Sequence, residues 1–192
     1  MPKYRYTGAE LTRLLQAADS KLLKETHLLV IGGSAIVLAH DPTGATKDLD
    51  TLSDIEDLEN AFAEASKETG IDAKLERVTI AESPYDFEER CEAILIPGLT
   101  RLRIFIPEKH DLALMKTMRG DENDIDGITR IHRSSGLDLR VMIDRFCNEM
   151  GHVNGNPRTV RFNFLNVIEQ VFGEEALKEA EAAVTRKFGP IP

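Results

Sequence analysis

Apolar residues recur at helical spacing from near the start of the chain: Leu11, Leu14, Leu15, Ala18 and Leu22 follow a Thr7…Glu10 pair. Spacings of three and four put these side chains on one face. Thr with Glu three residues later is a capping-box signature, so a helix is predicted here. Residues 27–31 form a short apolar run closed by Gly32-Gly33, which predicts a buried strand. Residues 34–40 predict a short helix, and Asp41-Pro42-Thr43-Gly44 a turn. Residues 46–52 predict a second strand. Ser53 with Glu56 repeats the capping-box pattern and predicts a helix through Leu58, Ala61, Phe62 and Ala65, closed at Gly70. A third strand is expected over 73–80. Residues 92–96 and 101–106 predict two strands joined at Pro97-Gly98-Leu99-Thr100 as a hairpin.

The pattern then changes. A helix is expected over 108–118 and ended by Gly120, and from about residue 121 the chain is helical, with helices near 137–150, 158–172 and 174–187 and a loop at 151–157. Phe162, Phe164, Leu165, Ile168 and Phe172 form an apolar stripe that reads as core. Mixed helices and strands followed by helices alone predict the α/β (α+β) class. The expected architecture is a mixed sheet flanked by helices in residues 1–120, with an α-helical region in 121–192.

Composition narrows the function classes. The chain has 192 residues, 42% hydrophobic and 30% charged, as in ordinary globular proteins. No stretch approaches the apolar length of a membrane span, and Met1-Pro2-Lys3-Tyr4-Arg5-Tyr6 lacks an apolar signal region. The expectation is a cytoplasmic protein with no membrane partner. Cys91 and Cys147 are far apart and show no metal-ligand spacing, which predicts two reduced thiols. A net charge of −9 argues against a protein that coats nucleic acid nonspecifically, while leaving room for a local basic site.

Chemistry is concentrated in two pieces. In Leu28-Leu29-Val30-Ile31-Gly32-Gly33-Ser34, a strand ends in glycines where a helix begins. Glycine lets backbone approach a ligand closely, and the free N–H groups of a helix N-terminus bind phosphate. In Thr46-Lys47-Asp48-Leu49-Asp50, the two acids are two apart on a predicted strand. They therefore share a face, with Leu49 directed to the core. Adjacent carboxylates repel, and a hard divalent cation, Mg²⁺ or Mn²⁺, relieves that repulsion and also carries substrate phosphates.

Together the pieces resemble the signature of the DNA polymerase beta-like nucleotidyltransferase superfamily, Gly-Ser followed about a dozen residues later by Asp-x-Asp. A second block, Pro107-Glu108-Lys109-His110-Asp111-Leu112-Ala113-Leu114-Met115-Lys116-Thr117-Met118-Arg119 continuing to Asp126, resembles the Leu-x-x-x-Lys…Arg…Asp segment of AbiEii-type abortive-infection nucleotidyltransferases. Those include toxins of toxin–antitoxin pairs. The resemblance spans about residues 28–126. It implies transfer of an NMP from an NTP to an acceptor hydroxyl with release of pyrophosphate. It places Gly32, Gly33 and Ser34 at the nucleotide phosphates, Asp48 and Asp50 on the metal, Lys116 and Arg119 at the triphosphate, and Asp124 in a later site motif. It further implies tRNA as an acceptor and an antitoxin as a partner.

The chain departs from the pattern in two places. Many superfamily members carry a third carboxylate on a following strand, yet Arg101-Leu102-Arg103-Ile104-Phe105-Ile106 has none, leaving Glu92 as the candidate. A second acid is usual where Gly127 falls. Thr46, at the head of the acidic strand, and Arg103, which shares a strand face with Arg101, complete the candidate set. Two alternatives stand beside the toxin reading: a nucleotidyltransferase with a small-molecule (antibiotic) or protein acceptor, and a non-catalytic nucleotide-binding or interaction module. Glu122 to Gly127 resembles half a calcium loop, but the required Asp and Glu are replaced by Glu122 and Arg133. The histidines form no ligand pair.

Overall fold

The computed structural model describes residues 5–190. The stretch 1–4, on which most of the expected absence of a signal region rests, lies outside the described residues. The chain divides into two compact units. One takes the chain up to Ala81 together with Cys91–Pro107; the other takes Glu82–Arg90 and the chain from Glu108 onward.

The first unit runs β1 (Tyr6–Thr7), α1 (Gly8–Lys21), β2 (Thr26–Leu29), α2 (Gly32–Ala39), β3 (Ala45–Thr46), β4 (Asp48–Thr51), α3 (Glu59–Thr69), β5 (Lys74–Arg77), β6 (Glu92–Ile94) and β7 (Leu102–Ile106). The Thr7–Glu10 capping box opens α1, and its apolar stripe Leu11, Leu14, Leu15 and Ala18 is fully buried. Each such leucine contributes roughly 1.5–3 kcal/mol of burial free energy. α1 packs on α3, which buries Ala61, Phe62 and Ala65 and ends at the left-handed Gly70. In the sheet, β2 runs parallel to β7 and β6 runs antiparallel to β7. β4 and β5 are parallel, and an antiparallel bridge between Val30 and Thr51 links the two ladders. The result is the expected mixed strand pairing flanked by helices: a three-stranded sheet in the order β2-β7-β6 and a parallel pair β4-β5. β1 and β3 form a short separate ribbon.

Two local expectations are corrected. Ser53 does not cap a helix: its hydroxyl accepts the Leu29 N–H at 2.8 Å, its own N–H donates to the Thr51 hydroxyl, and α3 starts only at Glu59 with no side-chain cap. Ser53 instead locks the end of β2 to the end of β4. The second concerns bounds: β6 and β7 form the expected antiparallel hairpin, but its connection is longer than residues 97–100, because β6 ends at Ile94 and β7 begins at Leu102. The buried carboxylate of Asp19 takes the N–H groups of Thr100, Arg101 and Leu102 that strand pairing would otherwise use. Burial works to raise the pKa of Asp19, but these backbone donors outweigh it and hold the carboxyl below its ordinary value.

The second unit is helical: α4 (Lys109–Thr117), α5 (Glu122–Ser135), α6 (Leu139–Glu149), α7 (Pro157–Phe172) and α8 (Glu174–Phe188). Asp121, Asp138 and Asn156 cap α5, α6 and α7, and Pro157 occupies the favoured first turn of α7. Phe146 and Phe164 stack in the core at 3.8 Å between ring centroids. From the expected stripe, Phe164, Leu165 and Ile168 are buried, but Phe162 is 65% exposed and stands outside the core. The units divide before α4, and the helical unit also takes residues 82–90, whereas the sequence places a soft boundary near 120. An ion network explains the grouping. Arg90 clamps the fully buried Asp111 through two hydrogen bonds of 2.7 and 3.0 Å and also reaches Glu149, while Arg145 donates to Asp111 and Glu108. Among the described residues, no helix is long and apolar enough to cross a membrane.

Candidate functional site

The acidic strand and the glycine turn interlock within the first unit. After β2, the Ile31 N–H donates to the Asp50 carbonyl at 3.0 Å, which lays the turn against β4. Gly32 then adopts φ 66°, and a Cβ there would lie 2.8 Å from an Asp50 carboxylate oxygen. A Cβ on Gly33 would lie 2.9 Å from the Thr46 hydroxyl. Both positions therefore exclude side chains for a packing reason, and at Gly32 also for a backbone one. The turn feeds α2, whose N-terminus carries no side-chain cap. The first N–H groups of a helix have no intrahelical acceptor, so this end is available to an anion. The Ser34 hydroxyl is buried and donates to the Ile31 carbonyl at 2.9 Å, leaving the backbone as the part of Ser34 suited to a phosphate.

β4 alternates as its sequence dictates. Leu49 and Thr51 are buried, and Asp48 and Asp50 lie on the opposite, partly open face. The Thr46 hydroxyl approaches Asp48 at 3.5 Å. The parallel neighbour β5 sets Glu76 directly across from Asp50. One carboxylate oxygen from each of Asp48, Asp50 and Glu76 lies within 4.8 Å of the others. Oxygens around one octahedral Mg²⁺, with bonds of 2.0–2.1 Å, are separated by about 2.9–4.2 Å. Small side-chain rotations bring the three acids into that range, and an all-oxygen donor set suits a hard divalent ion. These residues fit such a metal.

Glu76 is the functional candidate that sequence reasoning missed. A strand–helix–strand run over 46–80 was legible, and a parallel crossover sets its second strand beside the first. Glu92, the acid chosen instead, is exposed on β6 opposite Ile106, in a different sheet from β4 and β5. It takes no part in the cluster. Arg103 on β7 pairs across the ladder with His27 and reaches Glu25 at 3.2 Å.

The remaining candidates lie in the second unit. α4 ends at Thr117, so Arg119 follows the helix instead of sharing its face with Lys116. Both cations converge on Asp124. Lys116 Nζ donates to it at 2.8 Å, and Arg119 donates through Nε and a terminal nitrogen at 2.7 and 2.8 Å. Asp124 is 1% exposed in the first turn of α5. Burial alone would raise its pKa, but the donors from Arg119 and Lys116 hold it below the ordinary carboxylate value. Cys91 and Cys147 are free thiols.

A glycine turn at an open helix end, set against a three-carboxylate cluster on adjoining strands, is an arrangement compatible with phosphoryl and nucleotidyl transfer. Comparison with family models agrees with that chemistry and narrows it. Residues 9–171 match the family described as "Nucleotidyltransferase of unknown function (DUF6036)", and the chain belongs to this family. No curated protein and no solved structure matches the chain.

Proposed function

We propose that this protein transfers an NMP from an NTP to an acceptor hydroxyl, using a divalent metal held by Asp48, Asp50 and Glu76. The observation that carries the reading is the meeting of these three carboxylates beside the Gly32-Gly33 turn. Mg²⁺ or Mn²⁺, when bound, offsets triphosphate charge and makes an acceptor hydroxyl more acidic. The chain's own groups do the rest. The backbone N–H groups of Gly32, Gly33 and Ser34 hold phosphate oxygens at the start of α2. Thr46 and Gly33 keep Asp48 seated, since any side chain at position 33 would push on the Thr46 hydroxyl. In the transfer, the acceptor oxygen bonds to the α-phosphorus, the bond from that phosphorus to the bridging oxygen breaks, and pyrophosphate leaves.

The assignment of Lys116 to the triphosphate rests on charge and family resemblance alone. Its present contact with Asp124 occupies one of three ammonium donors. The AbiEii-type likeness supports a toxin role, with tRNA as acceptor and a neighbouring antitoxin as partner. The net charge of −9 favours the second reading, a small-molecule acceptor, because a polyanionic acceptor is repelled at long range. Glu76 weakens the case for a non-catalytic module, which rested on a missing third acid. Incubation with each labelled NTP, with total RNA or with a small-molecule fraction, tests the proposal. Label in RNA supports the toxin reading, and label in the small-molecule fraction supports the second. Label in neither, with no pyrophosphate released, contradicts transferase activity.

A further inference from the structure

The acid cluster occupies three positions of a four-residue array. Parallel pairing of β4 with β5 places Asp50 opposite Glu76 and Asp48 opposite Lys74. Residues paired in register share a face of the sheet, and those two apart on one strand also share it. Asp48, Asp50, Glu76 and Lys74 therefore stand together, whereas Leu49 and Leu75 project from the other side. Lys74 is exposed, and no ion pair or hydrogen bond engages it, although acids surround it. A lysine placed only for solubility needs no such register, and one placed to neutralise Asp48 would be bonded to it.

We infer that Lys74 is a phosphate-binding residue of this site, its ammonium contacting the triphosphate of the incoming NTP. The inference rests on the nucleotidyltransferase reading above and adds a residue to it. Charge supports it. One divalent ion does not neutralise three carboxylates, and an anionic triphosphate approaching the remainder meets repulsion that a cation on the same face removes. Lysine suits the task, being a compact point charge on a flexible stem that can follow the phosphates as they shift during transfer.

The test separates the metal from the nucleotide. Binding of Mn²⁺ alone, and of Mn²⁺ with a non-hydrolysable NTP analogue, is measured by calorimetry for the full-length protein and for Lys74→Met, Lys74→Arg and Asp50→Asn. A hydrogen bond to a charged group contributes enough that losing it weakens analogue binding by about tenfold or more. The inference predicts that loss for Lys74→Met, partial recovery in Lys74→Arg, and Mn²⁺ binding in Lys74→Met as tight as wild type or tighter, because a positive charge beside the ion is gone. Unchanged analogue affinity in Lys74→Met, with Asp50→Asn impaired, overturns the role of Lys74 and leaves the transferase reading standing. Loss of Mn²⁺ binding in Lys74→Met also overturns it, since the lysine would then be shaping the strand. A wild-type protein that binds neither probe overturns both.

Discussion

The two units each gather acids and bases, and they treat them in opposite ways. In the helical unit the carboxylates are saturated: Asp111 is fully buried and held by Arg90 and Arg145, Glu108 by His110 and Arg145, and Asp124 by Lys116 and Arg119. In the first unit Asp48, Asp50 and Glu76 are part-exposed to exposed, and one carboxylate oxygen from each lies within 4.8 Å of the others. Saturated buried charge holds elements together, because removing one partner strands the other in a poor solvent. Acids gathered around a glycine turn repel one another, and a divalent cation relieves that repulsion. The contrast separates a saturated ion network around Asp111 from an acid cluster that fits a cation.

The contrast can be broken from either side. The largest expected effect is on the ion network. Asp111→Ala leaves two guanidinium groups without their buried acceptor and should lower stability by about 3–5 kcal/mol, read as a fall in urea midpoint. Next comes the acid cluster: Asp50→Asn should cut NMP transfer by about a hundredfold or more while the urea midpoint stays within the range of a surface change. Acid should then distinguish the clusters. His110 and Arg145 hold Glu108 down to about 2 against the resistance of burial. A depressed carboxylate stabilises the fold above its unfolded pKa, and that contribution is lost as pH falls through the folded value. Stability should therefore decline between about pH 4.5 and 2, by roughly 2–3 kcal/mol from this residue, and Glu108→Gln should flatten the decline. Gly32→Ala is expected to cost about 1–2 kcal/mol of stability from the left-handed backbone. Its added methyl meets Asp50 at 2.8 Å, so metal affinity should drop as well. A Gly32→Ala variant with wild-type metal binding would separate the turn from the acid strand.

Much of this was legible in the sequence because it is local. The Thr7–Glu10 box, the strand ending at Gly32, and the alternation of Asp48 and Asp50 about Leu49 each depend on neighbours within a few residues, and the structure contains all three. Glu76 depends on which strand lies beside β4, a pairing across more than twenty residues that no short pattern encodes. Its strand offers little signal, since of Lys74, Leu75, Glu76 and Arg77 only Leu75 is partly buried. Ser53 misled for a related reason. Its capping-box spacing is real, but its hydroxyl accepts a hydrogen bond from Leu29, twenty-four positions away, in place of a helix N–H. Asp124 was legible as a charged position of the later block, but its burial between Lys116 and Arg119 comes from tertiary packing that no short pattern encodes.

The central claim, that Asp48, Asp50 and Glu76 together hold one divalent ion, is tested most directly by Mn²⁺ titration of the wild-type protein beside Glu76→Gln and Glu92→Gln. The account predicts one bound ion in the wild type, weaker binding in Glu76→Gln, and no change in Glu92→Gln. Equal binding in all three proteins, or none in the wild type, would contradict it.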